Sequence, residues 1–462
     1  MTQTDISFCN IGLREPLLTN LASLGYENMT PIQIQSLPML LKRMDVIAQA
    51  KTGSGKTAAF GLALLNDLNT AFFAVQALVL CPTRELAEQV SQAIRRLARL
   101  MPNVKILNLS GGMPFTPQIY SLKHGAHIVV GTPGRILKHL DKNSLSLKQL
   151  NRLVLDEADR MLDMGFLDDI NKIIHSCPAK RQTLLFSATY PKAIENLANT
   201  MMQNPQKITI EEDNELNIEQ RFYEVSHPTD KFSVLKALLF HYKPSSTLIF
   251  CNTKEKTVQV VQQLKQAGFS AITLNGDMEQ IDRDLAMIKF GNKSCSILVA
   301  TDVAARGLDI KELPAVINFD LAFELESHIH RIGRTGRAGH KGLALNITIP
   351  ADAQRLCVIQ EHSTNSLIWD KTDHFDKIAT PVFLPEMVTI CLSAGRKDKI
   401  RPGDILGALT KEAGLSAADI GKINITTLNA YVAIHKNYVE KACQHFKNAT
   451  LKGRKVLVRK IV

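Results

Sequence analysis

Residues 78–85 read LVLCPTRE and residues 248–255 read LIFCNTKE. Each is an apolar run that ends in cysteine and continues with one residue, a threonine, a basic residue and a glutamate. The correspondence extends downstream, because IVVGTPGR from Ile128 matches ILVATDVA from Ile297. Thr83 and Thr132 are 49 positions apart, and Thr253 and Thr301 are 48 apart. Between the matched runs lie the helical periodicities LAEQVSQAIRRLARL and TVQVVQQLKQAG. Strands and helices alternating at this spacing build a parallel sheet. Two α/β domains of common design are therefore expected over residues 1–210 and 211–362, joined near the polar and acidic stretch NPQKITIEEDNELN (204–217).

A chain of 462 residues is too long for one core and calls for about three domains. The stretch 363–385, with two prolines and little periodicity, reads as a linker holding one short element. Beyond it, over 386–462, MVTICLS, PGDILGALTKEAG, KINITTL, AYVAIH, NYVEKACQHFKNA and VLVRKIV spell βαββαβ. Pro402 marks a helix start and Gly414 its end.

Composition narrows the function classes. Hydrophobic residues make up 45% and charged residues 21%, as in ordinary globular proteins. The opening MTQTDISFCN has no basic patch followed by an apolar run, so neither export nor membrane anchoring is expected. The eight cysteines show no CxxC pair, which favours buried thiols in a reducing cytoplasm over disulfides or zinc. The net charge of +11 is uneven: from Glu386 onward 14 Lys or Arg face 6 Asp or Glu, which is +8 of the total. That asymmetry points to a tail that binds a polyanion.

Chemistry enters with AKTGSGKT (50–57), which follows the apolar strand DVIAQA and opens a helical pattern. Backbone amides of Thr52, Gly53, Ser54 and Gly55 at a helix N-terminus suit phosphate oxygens, Lys56 would neutralise the β and γ phosphates, and the Thr57 hydroxyl would hold Mg²⁺. Ala50 replaces the first glycine of the usual loop, which matters only if that position needs positive φ. About a hundred residues on, LVLDEADRM places Asp156 and Glu157 directly after an apolar strand. Asp156 then suits Mg²⁺, largely through water, and Glu157 suits an attacking water. Acidic capping of the next helix is the plain alternative, and the phosphate loop weighs against it.

PTRELA (82–87), TPGR (132–135), DEAD (156–159), SAT (187–189) and HRIGRTGR (330–337), in this order, resemble the DEAD-box ATP-dependent RNA helicases. The resemblance runs from about Phe8 to about residue 360. It implies two tandem RecA-like parallel-sheet domains with ATP and Mg²⁺ as ligands. GYENMTPIQ (25–33) resembles the adenine-reading motif, which implies that Gln33 meets adenine with its amide, Phe8 packs on the base and Asp309 lies near the ribose. Asp159, Ser187 and Thr189 match the elements that couple nucleotide to RNA. His330, Arg334 and Arg337 match the catalytic run, the arginines meeting the γ-phosphate and Arg331 joining neighbouring motifs. Three arginines in eight residues repel one another unless an anion or water lies among them. RNA contacts carry over to Thr83, Arg84, Gly111, Gly112 and Thr132 through Arg135 on the first domain, and to Gly276, Gln280, Arg283, Thr301 and Asp302 on the second. Short polar and glycine positions of this kind suit phosphates and 2′-hydroxyls rather than bases. A strand bent by domain closure would expel its partner, unwinding short duplexes locally.

The tail is similar to an RNA-recognition-motif (RRM-like) α+β fold, but aligned on TLNAYVAI (427–434) only Tyr431 is aromatic, with Asn429 and Ile434 at the other ring positions. The charges lie in GRKDKIRPGD (395–404) and LKGRKVLVRK (451–460), so Arg396, Lys397, Lys399 and Arg401 are the candidate phosphate grips. RPGDILGALT and DIGKI resemble the DbpA branch of the DEAD-box proteins, which implies a hairpin of 23S rRNA as target, in pre-50S particles, and a cytoplasmic protein expected to be monomeric. Two rival readings are a superfamily 2 DNA helicase and a non-catalytic RNA clamp or scaffold. DEAD with GYENMTPIQ favours RNA over DNA, and a clamp would not need Lys56, Asp156, Glu157, Arg334 and Arg337 together.

Overall fold

The computed structural model describes residues 6–50, 53–210, 218–305, 313–336, 341–362, 367–373, 375, 382 and 384–461. Two compact units divide the chain, with the break in sequence between Asp213 and Asn214.

The first unit holds a seven-stranded sheet of β1 (Val46–Gln49), β2 (Ala77–Leu80), β3 (Ile106–Leu109), β4 (Ile128–Gly131), β5 (Arg152–Asp156), β6 (Gln182–Ser187) and β7 (Gln206–Thr209), in spatial order β3-β4-β2-β5-β6-β1-β7. Every pairing is parallel. Strands such as ALVL, IVVG and RLVLD are buried throughout because helices cover both faces. Alternate residues serve the two layers: Val79, Val154 and Leu184 enter one core, Leu78, Leu153 and Leu185 the other.

The second unit repeats the plan with β8 (Ile218–Glu224), β9 (Thr247–Phe250), β10 (Ala271–Leu274), β11 (Ile297–Ala300), β12 (Ala315–Asn318), β13 (Gly342–Thr348) and β14 (Ile368–Trp369), in order β10-β11-β9-β12-β13-β8-β14. Counted from the first strand of each sheet, the two orders are identical. The quoted duplicates fall at the ends of β2 and β9, and each threonine caps the following helix in the same way. The Thr83 hydroxyl accepts from the Leu86 amide at 3.2 Å, and that of Thr253 from the Lys256 amide at 3.2 Å.

Within 363–385, expected to be a linker holding one short element, the described residues place that element in the second sheet. Ile368 and Trp369 form the seventh strand of the second sheet. Trp369 lies against Phe222, Asp370 accepts from Arg221 at 2.8 Å, and Phe375 stacks on His241 at 3.9 Å between ring centres. The place of that element in the sheet was not legible, because two strand residues and one aromatic carry no period.

The tail closes a four-stranded antiparallel sheet from β15 (Met387–Leu392), β16 (Ile420–Ile425), β17 (Ala430–His435) and, after a short hairpin of β18 (Thr450–Leu451) and β19 (Arg454–Lys455), β20 (Val458–Ile461), in order β16-β17-β15-β20. With helical segments at Pro402–Glu412 and Val439–Asn448 this is the βαββαβ order expected from the sequence. Gly414 terminates the first helical segment at φ 64°. Among the described residues no helix is long and apolar enough to cross a membrane.

Candidate functional site

Three loops meet along one stretch of the first sheet's carboxyl edge, because β1, β6 and β5 are neighbours. The phosphate loop follows β1, SAT ends β6, and DEAD ends β5. Positive φ occurs at Gly53 (95°) and Gly55 (99°) but not at Ala50, so the Ala50 replacement costs the loop nothing. A Cβ on Gly55 would stand 2.6 Å from Gln33 Nε2 and 2.8 Å from Thr30 Oγ1, and the φ of 99° there favours glycine. Lys56 opens the helix Lys56–Asn66, is buried, and donates to the Ala50 carbonyl at 2.6 Å.

Asp156 is fully enclosed, and burial pushes its carboxyl up to about 7. Lys56 pulls against that shift while the charges of Glu157 and Asp159 add to it. Glu157 turns the chain from β5 into the helix Ala158–Asp163 with φ 54°, a left-handed conformation unusual for a glutamate. Its carboxylate lies 3.2 Å from the Arg160 guanidinium, both side chains buried. Sequence reasoning missed Arg160, although its i,i+3 spacing from Glu157 was the available signal. Asp159 knits DEAD to SAT: its Oδ2 accepts from the Ala188 amide at 3.1 Å, the Thr189 amide at 2.9 Å and the Thr189 hydroxyl at 3.0 Å, and its own amide donates to Ser187 Oγ at 3.3 Å.

As a cation site, Asp156 and Thr57 offer one carboxylate and one hydroxyl, the hard oxygen donors Mg²⁺ takes. They are too few for its octahedral shell without phosphate oxygens and water. The buried, proton-holding carboxyl fits such a site, since a bound cation offsets the burial that raises it.

Both adenine-side residues are engaged within the chain. The Gln33 amide is engaged internally, accepting from the Thr30 amide at 2.9 Å and donating to the Gly55 carbonyl at 3.2 Å, because it closes a capping box on the helix Pro31–Leu41. Contact with adenine requires exchanging those bonds. Phe8 is only 3% exposed and meets Tyr26 edge-on, so its ring belongs to the core before any base arrives.

Farther along the same edge β2, β4 and β3 are neighbours, and the expected RNA residues gather at their ends. The Arg84 guanidinium lies over Gly111, within 3.0 Å of where a Cβ would stand. Burial, and then the charge of Arg84, lowers the pKa of Arg135, which donates to Gln118 at 3.0 Å. Gly112 has φ 74°, Thr132 caps the helix Pro133–Asp141, and the Thr83 hydroxyl is spent on its own cap.

The second sheet presents the matching edge at β10, β11 and β9. Gly276 faces the Lys254 side chain, Arg283 donates to the Asn275 carbonyl at 3.3 Å, and Gln280 donates to Asp284 at 2.8 Å. Lys254 was missed; its signal was the duplication itself, which sets it opposite Arg84. Thr301 follows β11 and opens the helical turn Asp302–Ala305, its carbonyl accepting from the Ala305 amide at 2.9 Å. Asp302 departs from its expected role, since both carboxylate oxygens accept from Arg331 at 2.6 Å and a carboxylate repels phosphate.

Arg331 of HRIGRTGR is 1% exposed. It also donates to Asn252 at 2.8 Å and to the Asp320 carbonyl at 2.6 Å, and lies 5.0 Å over the Phe250 ring. His330 is half-buried on the helix Leu325–Ile332, and Arg334 follows that helix, 5% exposed. Thr52, Asp309 and Arg337 lie outside the described residues.

In the tail, Arg396, Lys397, Lys399 and Arg401 are all exposed or half-buried at the surface. The β18–β19 hairpin packs beside them: Lys452 donates to the Lys399 carbonyl at 3.0 Å and pairs with Asp404 at 2.8 Å, and Arg454 pairs with Asp398. With Lys455 these residues form one basic collar, of which the hairpin half was legible only as a charge run.

Comparison with known families and proteins agrees with this geometry. Residues 30–197 match the DEAD/DEAH box helicase family, 230–339 the helicase conserved C-terminal domain, and 389–460 the DbpA RNA binding domain. The sequence is 51% identical over 443 residues to the ATP-dependent RNA helicase DbpA of Escherichia coli (strain K12), covering 96% of each chain. To the protein of that name from Bacillus subtilis (strain 168) it is 38% identical over 475 residues, covering 98% of this chain and 99% of that one. A solved structure of S. cerevisiae Dbp5 bound to RNA and ADP BeF3 superposes with a TM-score of 0.73 at 31% identity, covering 80% of this chain and 97% of that one.

Proposed function

From the premise that this chain belongs to the DEAD-box ATP-dependent RNA helicases, we propose that it unwinds short RNA duplexes locally and is directed to a hairpin of large-subunit rRNA during 50S assembly, as a cytoplasmic monomer. The observation that carries the catalytic part is the Asp156–Glu157–Asp159 turn, bonded through Asp159 to the SAT segment beside the phosphate loop.

Lys56 and the loop amides hold the triphosphate of ATP, and Asp156 with Thr57 holds Mg²⁺, whose bound charge screens the phosphates. Glu157, fixed by Arg160, takes a proton from the attacking water. Arg334 and Arg337 stabilise the charge that develops on the γ-phosphate, a contribution of about 10³ to 10⁵ in rate for such groups. His330 orients the water, and Asp159 relays the state of the site to SAT. RNA backbone lies along Arg84, Gly111, Gly112, Thr132 and Arg135 on one domain and Gly276, Gln280, Arg283 and Thr301 on the other. There Asp302 contributes through backbone, its carboxylate being held by Arg331.

The tail collar supports the targeting, since exposed guanidinium and ammonium groups grip phosphates while short polar and backbone groups read loop bases. An ATPase titration with large-subunit rRNA, unrelated RNA and DNA of equal length tests the whole reading. The expected order of half-saturating concentrations is rRNA lowest and DNA highest. Equal stimulation by all three would overturn the target, and none by any RNA would overturn the coupling.

A further inference from the structure

The tail sheet has two faces, and only one carries its own core. Ile390, Leu392, Val432 and Ile434 point toward the tail helices. On the opposite face Thr389 and Ala433 are fully buried, Cys391 is 2% exposed and Tyr431 8%. A sheet backed by helices on one side should leave its other side wet, so something covers it. The cover is the turn after the helix Gln280–Gly291 of the second α/β domain. Asn292, itself 2% exposed, donates to Thr389 Oγ1 at 3.2 Å and accepts from Asn424 Nδ2 at 2.7 Å, and Ser294 Oγ meets Thr389 Oγ1 at 2.7 Å. Each of these polar groups finds its partner on the other side of the seam, which is what a specific interface requires.

We propose that this sheet face is a docking surface for the second α/β domain and is closed to RNA, so that nucleic acid reaches the tail only at the basic collar. This accords with Asn429 at one ring position of the fold, whereas Ile434 belongs to the helix-facing core. A surface that packs on protein has no use for a stacking platform. The same 12-residue helix carries Gln280 and Arg283 at one end and the seam at the other. At about 1.5 Å per residue the seam lies ~18 Å along the helix axis from Gln280 and ~14 Å from Arg283. The part of the inference that concerns RNA rests on the collar's role proposed above.

The test is a crosslink across the seam in the full-length chain. Ser294→Cys with Thr389→Cys brings two sulfurs where two hydroxyl oxygens now touch, within the reach of a disulfide. Mass spectrometry identifies that bond apart from those of the native Cys295 and Cys391. The expected result is near-complete crosslinking without RNA, with the affinity for a transcribed large-subunit rRNA fragment changed less than about twofold. Crosslinking no greater than in the single variants would overturn the docking. A crosslinked chain whose affinity falls tenfold and recovers on reduction would show that the face binds RNA. Lys399→Glu with Arg401→Glu is the separate control: it should weaken binding at least tenfold and leave crosslinking unchanged. If it leaves affinity intact, the collar's role falls while the seam stands.

Discussion

At Glu157 a left-handed backbone, a buried carboxylate and a guanidinium 3.2 Å away coincide in one residue. Such a conformation costs of order 1–3 kcal/mol for a non-glycine side chain and persists where surrounding structure over-determines it. Glu157→Gln keeps the shape and removes the base. Steady-state kinetics should show kcat lower by ~10²- to 10⁴-fold with ATP and RNA affinities retained. Its neighbour Asp156 makes a pH prediction. The folded carboxyl keeps its proton up to about pH 7, whereas an unfolded aspartate releases it near 3.9. Between those values the folded state binds more protons, so the nucleotide-free chain should lose stability as pH rises through that window. Asp156→Asn has no proton to lose, and its melting temperature should lack that part of the decline between pH 5 and 7. Parallel pH profiles of the two proteins would remove burial as the cause.

The strand ends organise these residues. With β1, β6 and β5 adjacent, the phosphate loop, SAT and DEAD become neighbours, and with β3, β4 and β2 adjacent the residues proposed to contact RNA on the first domain do. The bridge from SAT to DEAD is Asp159, so Thr189→Ala removes one of its three Oδ2 donors without touching the phosphate loop. RNA stimulation of turnover should fall about fivefold, the ratio that ~1 kcal/mol represents, while ATP affinity stays constant. Unchanged stimulation would take the relay away from this bond. Much of this was legible beforehand because repeated strand endings such as LVLCPTRE and LIFCNTKE declare a shared topology, and motif spacing then locates the chemistry. Partner choice was not. Arg331 read as joining neighbouring motifs, but its buried partners Asp302 and Asn252 were not legible, and neither was the capping box that engages the Gln33 amide. The seam through Asn292, Thr389 and Asn424 was invisible because uncharged polar residues far apart in sequence carry neither period nor motif.

Across the whole molecule, net charge is concentrated away from the groups proposed for hydrolysis and in the tail proposed to bind RNA. The last 77 residues hold +8 of the net +11, while the groups assigned to hydrolysis all precede them. Removal of 386–462 should leave weak RNA-stimulated ATPase activity without preference for rRNA. A gentler variant, Lys399→Ala with Arg401→Ala, isolates electrostatics from the fold, since both side chains stand at the surface. Each cationic group withdrawn from a phosphate lowers the dependence of log affinity on log salt by about 0.7 to 0.9, so the pair should flatten the slope by about 1.5. Affinity should fall most at low salt, and wild type and variant should converge as salt rises. A parallel shift of the two lines would mean that these groups act through shape or base recognition and not through the phosphates. A line unchanged in position and steepness would move the RNA off this part of the collar.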